Sequence, residues 1–308
     1  MKATRVSTYG APPALGEVDD PTPGRNEVLV RVAGAAANPL DLKIAAGYMR
    51  DFFPVDFPYT LGTDIAGTVV EVGADVSGRA VGDAVVARLD PSAGGAFAEL
   101  AAVPADQVVP SPTAIPLSRS AGAVTAAATA LQALTEVADV QSGQTVLVHA
   151  GAGGVGSFAV QIALRLGAQV VTTVSKAGFD LAAELGAHQV IDYNEQDFGS
   201  VVSGVDVVID TIGGAGEARS LDVLRPGGLL VAVPRPPDVE RAASRGLRAE
   251  FVFHASDAAR LARVVSLIDE GLRVVVDSRY DLDHAAEALE HLADGHAKGK
   301  VILTPRVQ

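Results

Sequence analysis

Cysteine is absent from the 308 residues, and with it go disulfides, thiolate metal sites and cysteine nucleophiles. Basic residues are the minority: 24 Lys and Arg against 37 Asp and Glu leave a net charge of −13. That balance repels phosphate backbones and anionic membrane surfaces and argues against nucleic-acid binding. No run approaches the ~20 apolar residues of a membrane span. The first thirty residues mix Asp19, Asp20 and Glu27 into a polar–apolar alternation, unlike the basic start and apolar stretch of a secretory signal. A cytoplasmic protein with no nucleic-acid or membrane partner is the expectation.

What is present is a large apolar fraction, 48% of the residues, with 20% charged, enough to bury an interior that offsets the entropy of ordering it. The length favours two domains. From Met1 to about Arg119, period-two runs such as Glu27–Ala33 and Gly67–Gly73, punctuated by prolines, predict a loop-rich, partly open β-barrel. From about Ser120 strands alternate with helices. The pattern gives strand Thr145–Ala150, helix Ser157–Leu166, strand Gln169–Ser175, helix Phe179–Leu185, and strands Gln189–Asp192, Val205–Asp210 and Gly228–Val233. Strands joined by helical crossovers run parallel, so the class is α/β with a doubly wound sheet. A helix over Ser256–Gly271, a strand over Leu272–Ser278, a helix over Leu282–Ala293 and a strand over Lys300–Thr304 close the chain.

Strand Thr145–Ala150 leads straight into Gly151-Ala152-Gly153-Gly154-Val155-Gly156 and then a helix. In that setting each glycine has a mechanical task. Gly151 permits the tight turn, Gly153 lets the backbone approach a pyrophosphate, and Gly156 packs helix closely on strand. The free amides and positive helix end then face the phosphates. An acidic residue ~20 positions on would hold the ribose hydroxyls of NAD. The next strand ends instead in Ser175-Lys176, a hydroxyl and a cation suited to the 2′-phosphate of NADPH. Tyr193 is placed either to pack on adenine or to be a half-exposed turn residue. Thr211 and Val233 follow strand ends where the nicotinamide half belongs. His149 reads as structural, and the strand Phe251–Phe253 before His254 offers backbone contacts to the cofactor.

The stretches Asn38-Pro39-Leu40-Asp41-Leu42-Lys43, Leu61-Gly62-Thr63-Asp64-Ile65-Ala66-Gly67, Gly94-Gly95-Ala96-Phe97-Ala98-Glu99, Ala128-Thr129-Ala130-Leu131-Gln132 and Gly299-Lys300-Val301-Ile302-Leu303 join the glycine turn. Together they resemble the zinc-free quinone oxidoreductase branch of the medium-chain dehydrogenase/reductase superfamily. The resemblance implies a GroES-like β-barrel domain over 1–119, completed by 272–308. Beside it would stand a Rossmann NADPH-binding domain over 120–271, with the active site in the cleft between the two. Zinc-using relatives carry a cysteine where this chain has Asn38 and a histidine where it has Thr63, so no metal is expected. Without that Lewis acid, a conjugated acceptor suits the site better than an alcohol.

The same resemblance places Asn38 beside the nicotinamide, able to donate its amide to the acceptor oxygen, and Thr129 against the carboxamide. Lys43, Tyr48 and Tyr59 become candidate donors at the substrate mouth. Asp41 is weighed as a helix cap and Asp64 as a local hydrogen-bond partner rather than as catalysts. A homodimer paired through sheet edges is implied. The expected activity is NADPH-dependent reduction of quinones or α,β-unsaturated carbonyls. The alternatives are an enoyl or polyketide-type enoyl reductase, or a non-enzymatic NADPH-binding sensor or interaction protein.

Overall fold

The computed structural model describes residues 1–305. They form two compact units, Met1–Thr125 with the residues from Ser256 onward, and Ala126–Ala255. The first unit holds β1 Lys2–Val6, β2 Ala14–Glu17, β3 Glu27–Ala37, β4 Tyr59–Thr60, β5 Asp64–Val72, β6 Ala84–Arg88, β7 Leu100–Pro104 and β8 Val109–Pro110. The second holds β9 Thr145–His149, β10 Gln169–Val174, β11 Gln189–Asp192, β12 Val205–Asp210, β13 Leu224–Ala232 and β14 Arg248–Phe251. The chain then returns to the first unit as β15 Val276–Asp281 and β16 Lys300–Thr304.

In the first unit a large sheet runs β15-β16-β3-β5-β6-β8, with β7 also on β3, and β2-β1-β4 form a smaller sheet. Alternation in β3 turns Val28, Val30 and Val32 into a core shared with Ile65, Val69, Phe97, Val301 and Leu303. β16 pairs antiparallel with β3, Val301 opposite Ala37 and Leu303 opposite Ala35. β16 is thereby bound to the segment just before Asn38. In the second unit the order is β11-β10-β9-β12-β13-β14, every pair parallel. That order reverses between β9 and β12, the switch point where such sheets bind ligands. The α/β class, GroES-like unit and Rossmann sheet are those expected.

Three local expectations need correction. Helix Ala258–Asp269 groups with the first unit, not with the second. Asp269 Oδ1 accepts the N–H groups of Thr113 and Ala114 at 2.8 and 2.9 Å, tying the helix to the segment after β8. The strand expected from Leu272 begins only at Val276. Leu272 and Val274 are buried alternately, which imitates the strand period without ladder bonds. The strand expected over Phe251–Phe253 lies earlier, as β14 at Arg248–Phe251 beside β13, and Phe253 lies beyond it with half its surface exposed.

Candidate functional site

The glycine turn lies at the carboxyl end of β9, before helix Gly156–Arg165. The left-handed residue is Ala150, at φ 52°, so Gly151 is needed for a different reason from the tight turn. A Cβ on Gly151 would stand 2.0 Å from Thr172 Oγ1, and one on Gly156 would stand 2.0 Å from the Ala150 carbonyl oxygen. Both glycines let helix and sheet touch. At Gly153 a Cβ would meet nothing nearer than Ala150 O at 3.2 Å, a tight contact but far milder than the clashes at Gly151 and Gly156, so internal packing restricts this glycine least. The N–H groups of Ala152, Gly154 and Val155 have no acceptor among the described residues. Three unpaired donors at a helix start, beside a glycine that leaves room for approach, fit a pyrophosphate.

On the same sheet end, a cavity of about 210 Å³ is walled by His149, Thr173, Tyr193, Phe198, Asp210, Ile212 and their neighbours. His149 bridges Thr173 Oγ1 and Ser220 Oγ, each at 2.9 Å. Burial pushes its imidazole down, which keeps it neutral and structural, as its position implied. Thr211 is used in the same framework, its hydroxyl donating to His149 O at 2.7 Å. Asp210 accepts the N–H groups of Ile212 and Gly213 through Oδ1, yet its buried Oδ2 has no hydrogen-bond partner. An orphaned acceptor in a cavity wall suits a ligand bearing N–H or O–H groups.

Ser175 leads into a single helical turn, Lys176–Gly178. Lys176 is exposed and only loosely paired with Glu195, at 4.0 Å, a contact worth little in water. Tyr193 is half exposed and lines the cavity. Thr129 is buried in helix Val124–Gln132. Val233 donates its N–H to Asp210 O at 2.9 Å, and the Phe253 carbonyl accepts a long bond from Gln132 Nε2 at 3.5 Å.

In the first unit, Asn38 caps helix Pro39–Ala45. The Asp41 carboxylate reaches back to the Asn38 N–H at 2.7 Å, the capping role weighed for it. Asn38 Nδ2 donates to Asp64 Oδ2 at 2.9 Å and to Ala36 O at 3.3 Å. Asp64, fully buried, also accepts Thr125 N–H at 3.0 Å and Thr125 O–H at 2.6 Å. Two cations complete the cluster. Lys300 donates to Asn38 Oδ1 at 2.5 Å, and Arg88 is buried nearby with its guanidinium on Ser256. Neither was singled out from the sequence. A lysine opening the otherwise apolar strand KVILT was the available signal, because lysine is seldom buried unless paired.

The three proposed substrate donors separate. Tyr59 is 3% exposed, its hydroxyl donates to Pro91 O at 2.7 Å, and burial pushes its phenol upward. It is a core residue. Tyr48 is 81% exposed, and Lys43 is half buried on the helix that Asn38 caps. Among the described residues no group of His, Cys, Asp or Glu side chains is arranged to hold a metal ion, and no helix is long and apolar enough to cross a membrane.

Asp41 yields a prediction. Burial pushes its carboxyl up to about 7, with the like charge of Asp64 adding and the Asn38 N–H opposing. The folded chain therefore keeps a proton that the unfolded chain, with its ordinary value of 3.8, has already lost. Its contribution to stability should fall as pH rises from about 4 to about 7 and level off above. Asp41→Asn keeps an acceptor for the cap and carries no charge. Urea unfolding at about pH 5 and about pH 8 should show a smaller drop in the variant than in the wild type. An equal drop would contradict an internal Asp41 proton.

Comparison with known proteins places these features in a family. A zinc-binding dehydrogenase model matches residues 185–303 and an alcohol dehydrogenase GroES-like domain model residues 24–113. The chloroplastic quinone-oxidoreductase QR1 of Triphysaria versicolor is 33% identical, over 99% of this chain and 98% of that protein. The structure of the quinone oxidoreductase from Coxiella burnetii is 32% identical, with a TM-score of 0.92 over 99% of both chains. The Escherichia coli quinone oxidoreductase complexed with NADPH is 28% identical, with a TM-score of 0.90 over 99% of this chain and 100% of that one. The chain belongs to the zinc-free quinone oxidoreductase branch of the medium-chain dehydrogenase/reductase superfamily, a family of NAD(P)H-dependent oxidoreductases.

Proposed function

We propose that the protein is an NADPH-dependent reductase of quinones and other conjugated carbonyl acceptors that works without zinc. The observation that carries this is the set of unpaired N–H groups at Ala152, Gly154 and Val155, beside a Gly153 that internal packing restricts far less than Gly151 or Gly156. These donors would take the pyrophosphate, and the side of the cavity formed by Tyr193 the adenosine end. Ser175 and Lys176 would hold the 2′-phosphate. Bound NADPH supplies a hydride to the acceptor carbon.

The charge that develops on the acceptor oxygen needs only modest donors, because conjugation spreads it. Asn38 is the candidate donor, with Tyr48 and Lys43 at the mouth. Thr129, Val233 and Phe253 are assigned to the nicotinamide half. The wall of Met49, Phe53 and Phe57, partly buried against the first core, suits flat apolar acceptors. A cytoplasmic setting and a homodimer go with this reading, with β11 and β14 the edge strands of the second unit's sheet and β14 the one assigned to pairing. Sedimentation at the monomer mass would remove the dimer.

The test is oxidation of NADPH against a panel of quinones, enones and 2-enoyl thioesters. Turnover confined to thioesters would select the enoyl reductase alternative. Tight NADPH binding with no turnover on any acceptor would replace the enzyme with a sensor. Coenzyme choice gives a separate prediction. A charge-assisted bond to phosphate contributes about 1.5–3 kcal/mol, so Lys176→Ala should lower the preference for NADPH over NADH about 10- to 100-fold. Affinity for NADH should stay nearly constant, as measured by fluorescence titration. Equal losses for both coenzymes would show that Lys176 does not read the 2′-phosphate.

A further inference from the structure

Lys300 has no part in the function as proposed, yet its surroundings are specific. Its ammonium is buried and donates to Asn38 Oδ1 at 2.5 Å and to Ala37 O at 3.1 Å. At the other end of the same carboxamide, Nδ2 donates to Asp64 Oδ2 at 2.9 Å. The side chain of Asn38 is therefore held with a cation at its oxygen and an anion at its nitrogen.

Two consequences follow. The orientation of the amide is settled, because the reversed form would set NH2 against the ammonium and oxygen against the carboxylate. A cation on the oxygen and an anion on one N–H also polarise the group, and hydrogen bonds chained in this way strengthen one another. One amide hydrogen lies in the Asp64 bond. The other, fixed in the same plane, has only the long 3.3 Å contact with Ala36 O, so it is the one with donor capacity left for an incoming oxygen.

Burial argues in the same direction. An ammonium taken out of water is expensive, and an apolar side chain at the start of β16 would join Val301 and Leu303 in the core at less cost. Burial presses the Lys300 pKa down, while Asp64 and Asp41 support the charged form.

We propose that Lys300 is a positioning residue, fixing the Asn38 carboxamide so that one polarised N–H is presented to the oxygen of the acceptor. The kinetic half of this inference rests on the reductase reading, and the spectroscopic half does not.

Asn26, Asn38 and Asn194 are the only asparagines, so asparagine-selective nitrogen labelling gives three side-chain amide pairs in an NMR spectrum, with Asn38 assigned through Asn38→Ser. In the wild type the Asn38 pair should exchange with solvent most slowly and have one proton shifted downfield. In Lys300→Met the shift should collapse and exchange should accelerate about tenfold or more. In the same variant kcat should fall about 10- to 100-fold, the scale of losing an outer partner of a site. KM for NADPH should stay within about threefold. Lys300→Arg, which keeps a cationic donor, should recover most of both signals.

A folded Lys300→Met with an unchanged Asn38 amide overturns the proposal whatever its kcat, and an altered amide with unchanged kcat overturns it too. Should Lys300→Met fail to fold, Lys300→Gln keeps a neutral donor to Asn38. Its amide pair should stay protected but lose the downfield shift, and a retained shift would overturn the polarisation. A wild type that turns over no conjugated acceptor would fail the reductase reading alone, leaving the amide spectra to decide the positioning of Asn38.

Discussion

Gly156→Ala is expected to lose about 3 kcal/mol or more of stability, and NADPH binding with it, whereas Gly153→Ala should keep the fold and lose affinity. The added Cβ at Gly156 would lie 2.0 Å from Ala150 O, 2.7 Å from Ala150 C and 3.0 Å from Gly151 Cα. All three are backbone atoms, and Ala150 already occupies the left-handed region at φ 52°, where a residue with a Cβ has little freedom to move. Relief would require lifting the helix from β9. At Gly153 the nearest atom is Ala150 O at 3.2 Å, so a methyl group is accommodated by a small shift. On the proposed reading, it would crowd a phosphate approaching the neighbouring amides.

Urea unfolding and NADPH fluorescence on the two variants separate the effects. A Gly156→Ala protein of wild-type stability would contradict the close helix–strand contact. A Gly153→Ala protein with wild-type NADPH affinity would move the pyrophosphate away from this turn.

The glycine turn was legible because its signal is local: a buried strand, six residues and a helix in sequence. So were β11, β12 and β16, each found at the expected bounds. The return of the chain to the first unit came from family resemblance, since the β16–β3 pairing joins segments more than two hundred residues apart and no local pattern records it. For the same reason Lys300 was not recognised as a neighbour of Asn38. The task assigned to Gly151 was wrong in its cause, because the left-handed conformation falls one residue earlier and only the position of Thr172 shows why a side chain is excluded there. Tyr59 was misread for a related reason. An aromatic in a Pro- and Phe-rich loop gives no sign of whether its hydroxyl meets solvent, and here it meets the Pro91 carbonyl.

Asp64→Ala is expected to be the most damaging single change in the first unit, at about 3–5 kcal/mol, the range for removing one partner from a buried charge cluster. Its carboxylate accepts Asn38 Nδ2 and Thr125 N–H on one oxygen and the Thr125 hydroxyl on the other, with no exposed surface. Truncation strands all three donors. It also removes a negative charge that supports both Lys300 and Arg88, and Asp41 is a poor substitute while burial favours its protonated form. Removing the cation as well should relieve part of the damage. The double variant Asp64→Ala with Lys300→Met should be less destabilised than the sum of the single changes by about 1 kcal/mol or more. Urea unfolding of the four proteins at one pH measures that coupling. Strict additivity would mean that Asp64 and Lys300 do not act on one another through the Asn38 amide, and that Asp64 serves only to tie Thr125 to β5.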